Sequence, residues 1–177
     1  MTSREITEAA GQRNTSAISY HFGSREGLLL ELLARRGGPV DQRRGELRDA
    51  LGDDPSVPAL VRCLVEPYSE MLRTGPGRSY LRILAQLRGR FAAWRVQSDT
   101  ATTHHLARVL GEVEDRPELA PALRRERVVA LIMVLTATTA ERARRIDDDV
   151  PVELDHDRFV ANLVDMCSAL VLAPASV

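Results

Sequence analysis

Apolar residues recur at helical spacing along most of the chain, and no segment shows the alternation of apolar and polar residues that a half-buried strand requires. The pattern therefore predicts an all-α protein. The predicted helices cover residues 3–10, 15–21, 24–51, 56–73, 78–95, 100–113, 122–146 and 156–172. The Gly37-Gly38-Pro39 triplet is expected to interrupt the third of these helices.

The first two predicted helices are short and are separated by a glycine. Thr2 is a suitable N-cap, and Glu5 follows it at the spacing of a capping box. Gly11 can adopt the left-handed backbone that a tight turn needs, so it should end the first helix. Asn14 or Thr15 can cap the second helix, because both side chains carry an oxygen that accepts a backbone N–H.

The second helix should bury Ile18 and Phe22 on one face, opposite Ile6 of the first helix. The size and spacing of the pair match a helix-turn-helix, although an ordinary corner between two helices has the same shape. The outward side chains are short hydrogen-bonding groups with one arginine and one aromatic, which suits contacts in a DNA major groove. These residues are Arg13, Asn14, Thr15, Ser16, Ser19 and Tyr20.

The stretch AAGQRNTSAISYHFGSREGLL, residues 9–29, resembles the DNA-binding segment of the TetR family of bacterial transcriptional regulators. The resemblance covers about residues 2–35 and rests on an Ala-Gly turn, an aromatic-His-Phe run and a Ser-basic-acidic-x-Leu step. It implies that Tyr20, His21 and Arg25 contact phosphates. It also implies that the base edges are approached by Arg13, Asn14, Thr15, Ser16 and Ser19.

Members of that family carry a further helix of roughly 20 residues before these two. We therefore expect the DNA-binding unit, residues 1–36, to lack its first helix. Either native residues precede Met1, or the protein is a remnant that binds DNA poorly. The helix caps, the turn and the apolar faces of the helices are consistent with one another, which favours the first explanation.

Residues 37–177 are expected to form an all-α effector-binding and dimerisation domain. The last two predicted helices have broad apolar faces that a small domain cannot cover completely, so part of them should contact a second copy. The resemblance implies the same arrangement, a two-fold dimer held by an intersubunit four-helix bundle. The predicted interface residues are Val128, Leu131, Ile132, Leu135, Phe159, Leu163, Val164, Cys167, Leu170 and Val171.

The middle helices carry the aromatic residues that a small-molecule pocket would use, and the same residues also fit an ordinary apolar core. The resemblance implies an effector pocket in this region, whose occupation would release DNA by favouring another arrangement of the dimer. The candidate pocket residues are Tyr68, Met71, Tyr80, Ile83, Leu87, Phe91 and Trp94.

Composition narrows the function further. All 24 basic residues are arginine, which excludes Schiff-base enzymes and the lysine-containing phosphate-binding loop. The net charge is −1 overall, but residues 1–48 hold eight arginines and six acidic residues. Any surface that binds nucleic acid must therefore be local. Residues 1–48 carry the net positive charge that such a surface requires.

No arrangement of residues predicts an enzyme, a metal site or a cofactor. His104 and His105 are adjacent, so they point about 100° apart on a helix and cannot share one metal. The Asp155-His156-Asp157 cluster reads as the polar start of a helix. Cys63 and Cys167 read as small buried hydrophobes.

The longest apolar run, Val128–Leu135, is too short to span a membrane, and the N-terminus has no secretory signal. We therefore expect a cytoplasmic protein. The combined prediction is a TetR-like regulator, a repressor that binds a palindromic double-stranded DNA operator as a homodimer and is released by a small-molecule effector. A two-fold dimer matches a palindrome because its half-sites lie about 34 Å apart on one DNA face. The alternative is a helical dimerisation module that has lost DNA binding.

Overall fold

The computed structural model describes residues 2–12, 14, 16–87 and 103–176. These residues form helices joined by turns, and none of them lies in a β-strand, which confirms the all-α prediction. The predicted segments 88–95 and 100–102 lie outside the described residues. The helices are α1 (Ser3–Ala9), α2 (Ala17–Phe22), α3 (Arg25–Asp49), α4 (Val57–Glu70) with a 3₁₀ turn (Met71–Arg73), α5 (Gly75–Gln86), α6 (His104–Asp115), α7 (Pro121–Asp147) and α8 (His156–Leu172).

Helix α3 is continuous, so the predicted interruption at Gly37-Gly38-Pro39 is wrong. A proline inside a helix removes one backbone hydrogen bond and costs about 3 kcal/mol. The helix continues because residues on both sides of the triplet are held in the same core, Leu33 before it and Val40 after it. The domain boundary predicted at residue 36 therefore falls inside one helix, which is about 37 Å long at the usual rise per residue.

The Gly75-Pro76-Gly77 segment, which lies between the predicted helices 56–73 and 78–95, forms the first turn of α5. Thr74 is the N-cap, and its Oγ1 accepts a hydrogen bond from the backbone N–H of Gly77 at 3.1 Å. Pro76 is tolerated there because the first turn of a helix does not use its N–H groups for intrahelical bonds.

Helix α4 lies at the centre of the described fold and packs against α3, α6 and α8. Its buried face includes Leu60, Val61, Leu64 and Val65, none of which is exposed. Helix α5 packs on α7, and α7 packs on α8. The two cysteines are buried free thiols, as predicted, and burial raises the pKa of Cys167 to about 11.

An ion-pair cluster joins α5 to the end of α7. Asp147 Oδ1 accepts from Arg78 Nε at 2.5 Å, and its Oδ2 accepts from Arg82 Nη1 at 3.1 Å. The hydrogen bond from Arg78 is the main reason that the pKa of Asp147 lies below its ordinary value. Within the described ranges, no helix combines the length and the apolar character needed to cross a bilayer.

Candidate functional site

The N-terminal helices meet at a turn that is fixed by local hydrogen bonds. Thr2 and Glu5 form the predicted capping box: Thr2 Oγ1 accepts from the Glu5 N–H at 3.3 Å, and the Thr2 N–H donates to the Glu5 carboxylate at 2.5 Å. These bonds lower the pKa of Glu5. Gly11 has φ +67°, a left-handed conformation that glycine adopts without strain, and it follows α1 as predicted.

Helix α2 begins at Ala17, two residues later than predicted. Asn14 does not cap it; its Oδ1 accepts a hydrogen bond from the Ser16 N–H at 2.9 Å, which closes a turn before the helix. Ile18 is buried, as predicted from its position on the apolar face of the second helix. Phe22, predicted to share that inward face, is 38% exposed.

The outer face of α2 is polar and open to solvent. Ser19, Tyr20 and His21 are exposed, and the Tyr20 ring is 84% exposed. Ser24, which follows Gly23, is the N-cap of α3: its Oγ accepts from the Gly27 N–H at 3.0 Å. Arg25 is exposed in the first turn of the helix. Six of the predicted DNA-contacting residues are thus exposed: Asn14, Ser16, Ser19, Tyr20, His21 and Arg25.

The two remaining residues of that set, Arg13 and Thr15, lie outside the described residues. The described charged side chains of residues 2–27 are all exposed: Arg4, Glu5, Glu8, Arg25 and Glu26. Arg4 forms an ion pair with Glu8 at 2.9 Å. Arg25 has no ion-pair partner among the described residues, so its guanidinium donors face solvent.

The predicted pocket residues lie in or against the core. Tyr68 and Tyr80 are buried, while Met71, Ile83 and Leu87 are partly buried and pack on the core cluster. Phe91 and Trp94 lie outside the described residues. A surface groove lies elsewhere, between α4 and α8, and is lined by Arg62, Glu66, Glu70, His156, Asp157 and Val160.

A buried polar cluster next to these tyrosines was not predicted from the sequence. Asp41 and Arg44 of α3 are both buried, and Arg44 Nη1 lies 3.4 Å from Asp41 Oδ1. Asp41 also accepts hydrogen bonds from the backbone N–H groups that open α6, those of His105 at 2.9 Å and Leu106 at 2.8 Å. The sequence did contain a signal for this burial. Asp41 and Arg44 follow Val40 at positions that place all three on the core-facing side of α3.

Most residues of the predicted dimer interface are buried within one copy of the chain. Ile132 and Leu170 are partly buried, and the other eight residues are buried within the chain itself, so their side chains are not available to a second copy. They pack on α4, α5 and each other, because the two helices close the core of their own chain. The buried eight are Val128, Leu131, Leu135, Phe159, Leu163, Val164, Cys167 and Val171.

A different set of apolar side chains is exposed on these two helices. Val129 and Met133, one turn apart on α7, are 52% and 45% exposed. Met166 and Leu172 on α8 are 46% and 52% exposed. We call these four residues the α7–α8 face.

Two hydrogen bonds fix the register of the two helices. Arg127 Nη1 donates to the Val171 carbonyl at 2.7 Å, and Arg142 donates to the Leu154 carbonyl, so the helices run antiparallel. From the Arg127–Val171 bond, Met133 and Met166 lie about 9 and 7.5 Å along the two axes, at nearly the same level. The four residues of the α7–α8 face are thus exposed apolar positions within about 11 Å of each other along the helix axes.

The histidines and acidic residues do not gather into a site. The Asp155 side chain accepts from the Arg158 N–H at 2.8 Å, which confirms that this polar cluster opens a helix. Within the described ranges, no three His, Cys, Asp or Glu residues are placed to hold a metal ion. Comparison of the chain with protein-family models and with curated proteins finds no match.

Proposed function

We propose that this protein is a TetR-like transcriptional regulator, a repressor that binds a palindromic DNA operator as a homodimer and is released by a small-molecule effector. The observation that carries the proposal is the exposed polar face of α2, bounded by turns at Gly11 and Gly23 and followed by the capped start of α3. In this proposal α1 and α2 act as a helix-turn-helix, with α2 in the major groove.

Each exposed side chain on that face has a defined role in the proposal. Ser19 and Asn14 are short donors and acceptors that suit base edges. Tyr20, His21 and Arg25 lie toward the end of α2 and the start of α3, where they would meet phosphate oxygens. The guanidinium of Arg25 suits this role because its donors are not used by an acidic partner among the described residues.

The α7–α8 face supports a homodimer. Four large apolar side chains are exposed on this antiparallel helix pair, and a second copy related by a two-fold axis would remove part of this apolar surface from water. The dimer in this proposal is held by the exposed set, Val129, Met133, Met166 and Leu172, instead of the residues that the sequence pattern indicated.

The experiment that tests DNA binding compares two exposed arginines on α3. Fluorescence anisotropy is measured on duplexes selected from a random library by the full chain, across a salt series. Arg25→Gln should weaken binding several-fold on every duplex and reduce the salt dependence by about one phosphate contact. Ser19→Ala should instead change which sequences are preferred.

Arg43→Gln is the matched control, because Arg43 is also exposed on α3 but is paired with Glu46 at 3.0 Å in the other half of the helix. It should bind DNA as the wild type does. Equal losses in Arg25→Gln and Arg43→Gln would show that charge alone matters, and the proposed orientation of α2 would then be abandoned.

A further inference from the structure

Helix α3 contains three residues near its midpoint that disfavour a helix, Gly37-Gly38-Pro39, and it continues through them. Pro39 has no backbone N–H, so it cannot donate to the carbonyl of Arg35 four residues earlier. Glycine is the least favourable helix former after proline. Prolines and glycine pairs are among the usual places where helices bend. The triplet is therefore the weakest part of the α3 backbone.

The half of α3 that follows the triplet is fixed by directional bonds. Asp41 accepts the backbone N–H of His105 at 2.9 Å, and Arg48 Nε donates to the Glu112 carboxylate at 2.6 Å. In both contacts the partner lies 64 positions further along the chain, so α3 and α6 run parallel in one register. Hydrogen bonds weaken steeply when their length and angle change. The second half of α3 and α6 should therefore move as one body.

The half of α3 that precedes the triplet is held in another way. Leu33 is buried and Leu29 packs on the core, and these apolar contacts have no preferred direction. No side chain of residues 25–36 forms a hydrogen bond or an ion pair with another helix in the described part of the chain. This half can therefore slide on the core without breaking a polar contact.

The triplet itself touches the rest of the fold on one side. A Cβ at Gly37 would lie 3.0 Å from the Tyr80 hydroxyl oxygen, so α3 rests closely on α5 at this residue. A Cβ at Gly38 would meet no atom within 4 Å, and Pro39 is exposed. The contact at Gly37 gives a bend a fixed pivot, and the next two residues face open space.

We propose that Gly37-Gly38-Pro39 is a hinge about which α1, α2 and the first half of α3 swing as a unit relative to the rest of the chain. The three helices share the movement because α1 packs on α2 and α2 packs on α3. Residues 25–36 form a lever of about 18 Å at the usual rise per residue. A bend of about 20° would move the start of α3 by about 6 Å.

For DNA, the inference rests on the proposed function and concerns the spacing of the two half-sites. One added base pair moves a half-site by about 3.4 Å and turns it by about 35° around the DNA axis. Two hinges, one in each copy of a homodimer, would share this change. The hinge would therefore let one dimer bind operators whose half-site spacing differs by one base pair.

Distances between two spin labels test the hinge on the full chain without DNA. The labels are attached to Glu26→Cys at the start of α3 and Ala161→Cys on α8, both of which are exposed positions. Cys63 and Cys167 are buried and should stay unlabelled. An excess of unlabelled protein ensures that a dimer holds at most one labelled copy. Pulsed electron resonance on the otherwise wild-type chain should give a distance distribution several ångströms wide.

The double substitution Gly38→Ala, Pro39→Ala should stiffen the hinge, because alanine has less backbone freedom than glycine and restores the N–H that proline lacks. It should narrow the distance distribution about twofold. Gly111→Ala is the matched control, because a Cβ at Gly111 also meets no atom within 4 Å, but this glycine lies in α6. It should leave the distribution as wide as in the wild type.

The hinge is overturned if the wild-type distribution is as narrow as that of the double variant, or if Gly111→Ala narrows it equally. On duplexes with one base pair added between the half-sites, the double variant should lose several-fold more affinity than the wild type. Equal losses would overturn the role in half-site spacing. Absence of DNA binding by the wild type would overturn the proposed function instead, and the label distances would still decide whether the hinge exists.

Discussion

Asp41 caps a helix that begins more than sixty residues later in the chain: its Oδ2 accepts a hydrogen bond from the backbone N–H of His105 at 2.9 Å. Thr103, the local N-cap residue of α6, makes no side-chain capping bond. The start of α6 is therefore stabilised by α3 and not by its own sequence.

Asp41→Ala should be among the most destabilising single substitutions in the chain. It removes two capping bonds and leaves the Arg44 charge buried without its partner, a change that typically costs about 3–5 kcal/mol. Urea denaturation measures the loss. Asp49→Ala is the control, because Asp49 also joins α3 to α6, through an exposed ion pair with Arg108 at 2.8 Å, and should cost under about 1 kcal/mol. Similar losses in the two variants would contradict the capping role.

The glycines of α3 should respond to alanine in opposite directions. A Cβ at Gly38 would meet no atom within 4 Å, so Gly38→Ala should stabilise the helix by about 0.5–1 kcal/mol. A Cβ at Gly45 would lie 2.5 Å from the His105 ring, so Gly45→Ala must displace the imidazole and should destabilise the protein. Thermal unfolding of both variants checks the contrast, and a Gly45→Ala protein as stable as Gly38→Ala would refute this packing.

The proposed homodimer depends on the α7–α8 face. Met133→Glu and Met166→Glu each place a charge at an exposed apolar position of the α7–α8 face and should yield monomers in sedimentation equilibrium. Val150→Glu is the control, because Val150 is 39% exposed in the loop between the same helices. A dimer that survives both methionine substitutions would show that the contact between copies lies on another surface.

The reactivity of the Cys167 thiol distinguishes burial within one chain from burial by a second copy. Its thiol is buried in one copy and has a pKa raised to about 11, so little thiolate exists at pH 8. A thiol reagent should therefore fail to modify Cys167 even in monomeric Met166→Glu, and should react after unfolding in urea. Rapid modification of the folded monomer would restore Cys167 to the interface that its sequence pattern indicated.

The Asp147 cluster should make part of the stability depend on pH. Its pKa is lowered, so the carboxylate stabilises the folded state above the unfolded pKa near 3.8, and this contribution is lost as the pH falls through the folded pKa. Asp147→Asn should reduce the free energy of unfolding by about 0.5–1 kcal/mol at pH 7, because the ion pairs are partly exposed. The difference from the wild type should shrink below pH 3.8. A difference that stays constant with pH would rule out the ionic contribution.

The sequence predicted the helices well where capping and periodicity agree. The Thr2–Glu5 capping box, the Asp155 cap and the buried cysteines all follow from local chemistry, which the rest of the chain does not alter. The break in α3 was mispredicted because local propensity counts Gly37, Gly38 and Pro39 as breakers, whereas the burial of residues on either side of them decides the outcome.

The apolar stripes of α7 and α8 were identified from the sequence, but their packing within the core of one copy was not. Periodicity shows that a residue such as Leu131 is inward-facing, but it does not say whether the other side of the contact belongs to the same chain or to a second copy. Arg44 was missed for a related reason. Charged residues are usually exposed, and its burial depends on Asp41 and on helices far along the chain.

The central claim is that α2 reads DNA, and selection of genomic fragments by the purified full chain tests it most directly. Fragments of total genomic DNA are incubated with wild-type protein and with a Ser19→Ala, Tyr20→Ala, Arg25→Gln triple variant, and the retained DNA is sequenced. We predict that the wild type enriches a short inverted repeat, with retention that falls steeply as salt rises, and that the triple variant does not. Enrichment of the same repeat by both proteins, or of no sequence by the wild type, would contradict the account.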